Sequence, residues 1–248
     1  MSASDERRDV IVVGVGGMGS ATTYHLARRG LDVLGLERFD IPHTQGSSHG
    51  ITRIIRRAYY EHPSYIPLIE RAYELWDDLA EETGRDVIHR TGSIDAGPED
   101  NVVFQGSKES CEQYDIPHEV LTGAELNERF PGYDLPEDYK GVYQPDGGFV
   151  VPEQAIVGHA EAAMAEGAEI RARQRVQGWE ETADGGVRVE TAEGSHEADR
   201  LVLAAGAWNY KFADALEGLA IPERQVLAWF QPETPRLYQP DEFPVWNL

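Results

Sequence analysis

Two stretches of this 248-residue chain hold residues whose types and spacing could do chemistry. The first is "VGVGGMGS", Val13 to Ser20, where Gly14, Gly16 and Gly19 form G-x-G-x-x-G. The second is "HTQGSSHGITRIIRRAYY", His43 to Tyr60, with three arginines and two histidines. No Asp or Glu falls between Ile41 and Tyr60, although the chain carries 44 acidic residues against 22 basic ones. A glycine-rich turn that opens a helix can cradle a phosphate with its backbone N–H groups. A local cluster of arginines can grip a carboxylate through forked, charge-assisted hydrogen bonds.

The first stretch has the elements it needs on both sides. "DVIVVGVGGMGSATTYHLARRGLDVLGLER" reads as strand, tight turn, helix and second strand. Val10 to Val13 is a continuous apolar run, the pattern of a parallel strand buried on both faces. Gly14 permits the sharp turn, Gly16 lets backbone approach a pyrophosphate, and Gly19 lets the helix pack close to the strand. The helix is expected over roughly Met18 to Arg29, with Gly30 closing it, and its positive N-terminus faces the phosphates. A strand over Asp32 to Leu36 then delivers Glu37 where a ribose-binding acid belongs. Gly17, Met18, Ser20 and Arg38 complete the candidate cofactor-binding set of this unit. A G-x-G-x-x-G also occurs in ligand-free turns, so the weight rests on the strand, helix and acid around it. Glu37 would repel a 2′-phosphate. The motif alone leaves NAD and FAD both open.

With "PHTQGSSHGITRIIRRAY" following the acid directly, and "LVLAAGAWN" later, the chain resembles the FAD-dependent amine and D-amino-acid oxidase family, in its sarcosine oxidase branch (which includes monomeric sarcosine oxidase and N-methyltryptophan oxidase). The resemblance is nearly collinear over the whole chain. It implies an α/β fold: a Rossmann-type FAD-binding domain with a parallel sheet, interleaved with an incomplete α+β substrate domain. It implies flavin-dependent oxidation of a secondary amino acid such as sarcosine to an imine, with oxygen as acceptor and hydrogen peroxide as product. Arg53 matches a residue lying against the flavin ring, and Arg56 matches one that binds the substrate carboxylate. His49 joins them in the candidate catalytic set. Ser47, Ser48, His49 and Thr52, with Arg53, would line the flavin side of the loop. Val176 matches a position whose backbone meets the adenine, and Gly206 and Trp208 belong to a second flavin segment. Arg57 has no such counterpart and reads as a surface charge. Glycine oxidase, another FAD-dependent amino-acid dehydrogenase, or a truncated non-catalytic FAD-binding protein are the alternatives.

The remaining chain reads as alternating helices and strands. Pro63 to Thr83 is an amphipathic helix stopped by Gly84. "VIHRTGSIDAG" reads as a strand pair, Glu99 to Tyr114 as a helix, and Thr122 with Glu125 as a capping box. "GVYQPDGGFV" reads as a hairpin, and Pro152 to Gly167 as a helix. "AEIRARQRVQGW", "GVRVETAEG" and "RLVLAAGAW" read as strands, the first and last returning to the dinucleotide-binding sheet. The expected division is 1–87 and 152–220 for the FAD-binding domain, and 88–151 and 221–248 for the substrate domain.

Composition narrows the rest. The net charge of −22 leaves no basic face for nucleic acid. No apolar run of eighteen residues exists to span a membrane, and "MSASDERRDV" lacks the apolar stretch of a signal peptide, so a cytoplasmic protein is expected. Cys111 is the only cysteine, which excludes an internal disulfide, and no metal-ligand spacing occurs. Three lysines among 22 basic residues, with the acid excess, resemble a halophile's surface. The resemblance further implies a monomer when complete, with a flavin-tethering cysteine, an oxygen-activating lysine and a second carboxylate-binding base beyond Leu248. By that expectation the chain is a fragment, a truncated frame or half of a split protein.

Overall fold

In the computed structural model, residues 7–248 are described. Along the chain lie β1 (Arg8–Val13), α1 (Gly17–Ala27), β2 (Val33–Leu36), β3 (Arg53–Ile55), α2 (Ile66–Thr83), β4 (Ile88–Arg90), β5 (Ser93–Pro98), α3 (Val102–Gln113) and β6 (Glu119–Thr122). There follow α4 (Gly123–Arg129), β7 (Tyr139–Gln144), β8 (Gly148–Val150), α5 (Pro152–Ala165), β9 (Glu169–Arg171), β10 (Val176–Glu181), β11 (Val187–Thr191), β12 (Gly194–Leu203) and β13 (Val245–Asn247).

The chain divides into two compact units. One holds the residues up to Ile51 with Glu82–Arg85 and Pro152–Gln225; the other holds Thr52–Glu81, Asp86–Val151 and Val226–Leu248. These bounds differ from the division expected at 87 and 220, chiefly because residues 52–81 pack with the second unit.

The first unit is built on a six-stranded sheet in the order β10-β11-β12-β1-β2-β9. β1 sits between β12 and β2 and runs parallel to both. Its apolar run is buried as expected, with Ile11 and Val12 wholly enclosed. Burying such side chains contributes about 1.5–3 kcal/mol each. The stretch 168–179, expected as one strand, is two. Arg173 adopts φ +60° between them, and β9 and β10 lie at opposite edges of the sheet. β10 and β11 run antiparallel, so the sheet is parallel only in part.

The second unit carries two sheets, β13-β5-β7-β6 and β3-β8-β4. The strand pairing differs from the expected one in two places. β4 and β5 do not pair with each other, and β7 and β8 do not form a hairpin; in both cases the chain leaves one sheet for the other. The crossings are tight. A Cβ on Gly148 would lie 1.9 Å from the His89 carbonyl oxygen, and one on Gly147 2.1 Å from Ser93 Oγ. Gly92 turns at φ +78°, and its N–H, with that of Thr91, donates to the Gly147 carbonyl. The glycines that suggested a hairpin turn serve instead where two chain segments touch. The capping box at Thr122 and Glu125 forms as expected, and α2 ends before Gly84 at φ +64°.

In the first unit, α1 packs on α5 through Tyr24, His25 and His159. The His159 ring lies 5.7 Å from that of Tyr24 and 6.1 Å from that of His25. The Tyr24 hydroxyl donates to Glu82 at 2.5 Å and accepts from Arg28 at 2.6 Å. Burial, seconded by His25, holds the His159 imidazole down to about 4. The folded state therefore resists a proton that the unfolded chain accepts below its ordinary value near 6.5. This contribution is intact above about pH 6.5 and is lost as pH falls toward about 4. The loss is on the order of 3 kcal/mol at most. Urea melts between pH 7.5 and 4 should show this slope, and His159→Gln should flatten it; an unchanged slope in the variant would assign the acid sensitivity to other groups.

Candidate functional site

β1 ends at Val13, and Gly14 turns the chain at φ +95°, a conformation glycine adopts without strain. A Cβ on Gly14 would lie 2.5 Å from the Ala204 carbonyl oxygen; one on Gly19 would lie 1.7 Å from the Gly14 oxygen. The protein's own packing demands both glycines. Gly16 is different. A Cβ there would meet nothing within 4 Å, and its φ is −81°. Neither crowding nor strain calls for glycine at 16. A side chain would instead stand in the open space before it.

That space is a cavity of about 470 Å³, a size usual for small-molecule sites. Gly14, Gly16, Gly17 and Met18 form one wall. Glu37 and Arg38 come from the end of β2, and Ser47 and Ser48 from the loop beyond it. Val176 opens β10, and Gly206 and Trp208 follow β12. The site thus lies at the carboxyl ends of parallel strands, where open α/β sheets bind ligands. Gly17 admits Ser48, whose Oγ would be 2.6 Å from a Cβ at 17. The loop is tied down by the Gly50 N–H, which donates to Glu153 of α5 at 3.1 Å.

The electrostatics favour an anion. The N-cap of α1, Gly16, receives no side-chain cap, and the first turn holds no acid. Its N–H groups have no partners within the helix, and the dipole adds positive potential there. Arg38, Arg175 and Lys211 border the cavity, and among the described residues Glu37 is its one acid. Glu37 is buried, accepting the Val15 N–H on one oxygen and the Phe39 N–H on the other, both at 2.9 Å. It so clamps the turn after β1 to the turn after β2. Each oxygen keeps a second acceptor site, enough for a ribose hydroxyl.

Three candidates of the first unit lie outside this wall. Gly19 and Ser20 are enclosed beneath the first turn of α1, and the His49 Nδ1 sits 2.6 Å from the Gly46 carbonyl oxygen. Thr52, Arg53 and Arg56 belong to the second unit. Thr52 and Arg53 are exposed, and Arg53 donates to the Thr52 carbonyl at 3.2 Å. The Arg56 guanidinium lies over the rings of Tyr59 and Tyr60 at 4.7 and 5.2 Å. It reaches Glu61 at 3.3 Å and Asp95 at 3.6 Å. Arg57 points to Glu70 and Asp146, at 3.5 and 3.4 Å, and lies over Tyr73.

A family model described as FAD dependent oxidoreductase matches residues 9–247. The chain belongs to the FAD-dependent oxidoreductase family. It is 41% identical over 242 residues to a monomeric sarcosine oxidase of Streptomyces avermitilis, covering 96% of this chain and 62% of that protein. To an N-methyl-L-tryptophan oxidase of Yersinia pestis it is 35% identical over 240 residues, covering 97% and 64%. Among solved structures, NikD, described as an unusual amino acid oxidase essential for nikkomycin biosynthesis, superposes with a TM-score of 0.76 at 32% identity. That match covers 85% of this chain and 54% of NikD. The chain therefore spans about 62% of the length of the sarcosine oxidase it matches.

The residues present fit FAD. Gly16 leaves room for the pyrophosphate, the uncapped α1 terminus offers it donors, and Glu37 stands ready for the ribose. Sequence reading passed over several wall residues. The Phe39 and His43 rings meet at a tilt, 4.9 Å between centroids, with His43 3.5 Å from Glu37, and Phe212 accepts the Trp179 indole N–H on its carbonyl. Phe39 and His43 lie next to Glu37, but nothing in their spacing marks them; Phe212 is brought in by the turn after β12. Gly16→Val should keep the melting temperature within a few degrees yet abolish FAD binding, followed by quenching of flavin fluorescence. Gly19→Ala should instead cost about 1–3 kcal/mol of stability through overpacking. Wild-type FAD affinity in Gly16→Val would remove the phosphate role of this turn.

Proposed function

We propose that the chain binds FAD without covalent attachment and serves in the oxidation of a secondary amino acid such as sarcosine. The observation that carries this is Gly16, a glycine that only a ligand in the cavity explains, in a family whose cofactor is FAD. The names of the sarcosine and N-methyl-L-tryptophan oxidases it resembles point to an N-methyl amino acid. When bound, FAD would supply the redox chemistry, accepting a hydride from the C–H bond beside the amine nitrogen as the N–H proton is lost, so that an imine forms and hydrolyses; the two electrons, with two protons, would reduce oxygen to hydrogen peroxide.

The protein's part is orientation and charge. In this reading Arg56 holds the substrate carboxylate. Its side chain is only 12% exposed, so its charge acts in surroundings where screening is weak. Two tyrosine rings confine the plane of its fork. Arg53 supplies a fixed positive charge for the reduced flavin. Arg57, already paired with Glu70 and Asp146, takes no part. The substrate is small, the acceptor is oxygen, and the working form is a cytoplasmic monomer. No helix among the described residues is long and apolar enough to cross a membrane.

Steady-state kinetics of the FAD-loaded protein with sarcosine test this. Arg56→Ala should lose roughly 2–5 kcal/mol in kcat/KM, mostly as raised KM, because the carboxylate contact exists before and during the chemical step. Arg56→Lys should recover part of the loss, since lysine cannot fork. Arg53→Ala should slow flavin reduction and shift the flavin spectrum, and Arg57→Ala should stay near wild type. A crippled Arg57→Ala beside a normal Arg56→Ala would overturn the assignment of roles. Turnover only with an artificial acceptor would favour a dehydrogenase, a reading suggested by the L-proline dehydrogenase of P. horikoshii, similar in structure at a TM-score of 0.74 and 25% identity. Bound FAD with no turnover of any secondary amino acid would leave a flavin-binding protein alone.

A further inference from the structure

Beneath Arg56 lies a second acid that the proposed reaction does not use. Asp95, in the middle of β5, is 1% exposed. Its Oδ2 accepts the Ser107 hydroxyl at 2.9 Å and stands 3.6 Å from Arg56 Nε. Ser107, on α3, is itself fully buried. The Arg56 fork is thus approached from two sides, by Asp95 at Nε and by the more exposed Glu61 at Nη2.

A fully buried carboxylate is costly unless its charge has a use or a partner. Its immediate neighbours in β5, Ile94 and Ala96, are enclosed apolar residues. Among the described residues, the cation in ionic contact with Asp95 is Arg56. We propose that Asp95 is a positioning residue for the carboxylate site: it faces the Arg56 guanidinium at ionic distance from Nε, and its negative charge sets how strongly Arg56 can hold a second carboxylate, that of the substrate. This rests on the reading of Arg56 given above.

The surroundings make that charge adjustable. Arg56 and Glu61 face Asp95 from the segment after β3, Ser107 and Cys111 from α3, and Asn247 from β13. The residue opposite on β7, Val142, offers nothing polar. Burial pushes Asp95 up to about 6, against the pull of Arg56, Ser107 and Asn247; Glu61 adds a smaller push upward. The Cys111 thiol, pushed up to about 12 by burial, stays protonated beside it. Below about pH 6 Asp95 is neutral and the Arg56 charge is whole. Above it, Asp95 is ionised, and an anion on Arg56 meets a like charge behind its partner. By linkage, an anion bound to Arg56 must in turn raise the Asp95 titration.

The probe is methoxyacetate, which has the shape of sarcosine with an ether in place of the amine and stays ionised across the range used. Its affinity for the FAD-loaded protein is measured by calorimetry from pH 5.5 to 7.5, together with the Asp95 carboxyl carbon by NMR. Wild type should lose about tenfold in affinity over this range, within the usual span of site-to-site coupling. Asp95→Asn should be flat. Ser107→Ala, which keeps the acid and removes its hydroxyl donor, should move the midpoint upward, and it serves as the second test if Asp95→Asn fails to fold. In the absence of ligand, Arg56→Gln should raise the Asp95 titration. If Arg56→Gln leaves that titration unmoved, or if wild type and Asp95→Asn share one pH profile, Asp95 is a structural acid and the proposal is overturned. If methoxyacetate does not bind at all while Asp95 still responds to Arg56→Gln, the role of Arg56 in holding the substrate fails, and the proposal falls with it.

Discussion

The contact between α1 and the end of β1 governs the rest of the first unit. Gly19 lies so near the Gly14 carbonyl that any side chain would collide with backbone. That contact lets the helix begin directly at the strand end and aims its uncapped terminus across the sheet's carboxyl edge. Gly14 depends in turn on Ala204, the residue just past β12 that pairs with the end of β1. Glu37 completes the arrangement by joining the turns after β1 and β2 with two backbone hydrogen bonds. The cavity is what remains when three parallel strand ends are held at these distances.

Charge is distributed with the same economy of position. In a protein with net charge −22, all but one acid among the described residues stay off the cavity wall, and Arg38, Arg175 and Lys211 stand there. Its many other arginines are largely spent on acidic partners, as Arg8 is on Asp32 and Glu169, or Arg85 on Glu161. Such exposed pairs contribute little stability each. Their effect is to neutralise locally a surface that would otherwise repel itself.

Two buried acids show how much context decides. Glu37 is enclosed but bonded to two backbone donors that the fold brings to it. Asp95 is enclosed more deeply, with one hydroxyl on Oδ2 and an arginine at ionic distance. Burial dominates there and lifts its titration toward neutrality. Glu37 was legible in advance, because it follows a strand at a spacing that the turn itself dictates. Asp95 was not, since an acid within "SIDAG" looks like an exposed position of an alternating strand.

The sequence by itself determined the strand–turn–helix–strand unit, a dinucleotide as the kind of cofactor (though not NAD against FAD) and the ends of most helices. Each follows from local chemistry: an apolar run, a glycine where φ must be positive, a capping box, an acid at a fixed distance. Tertiary structure decided which strands pair. β4 and β5, and β7 and β8, look like hairpins because glycine-rich turns join them, yet each pair is split between two sheets. The reason is physical: a glycine that permits a turn also permits close contact between two chains, and local sequence carries no sign of which is required. The same holds for Phe39, His43 and Phe212 at the cavity, and for Asp95 beneath Arg56, whose neighbours come from segments far away along the chain and are supplied only by packing.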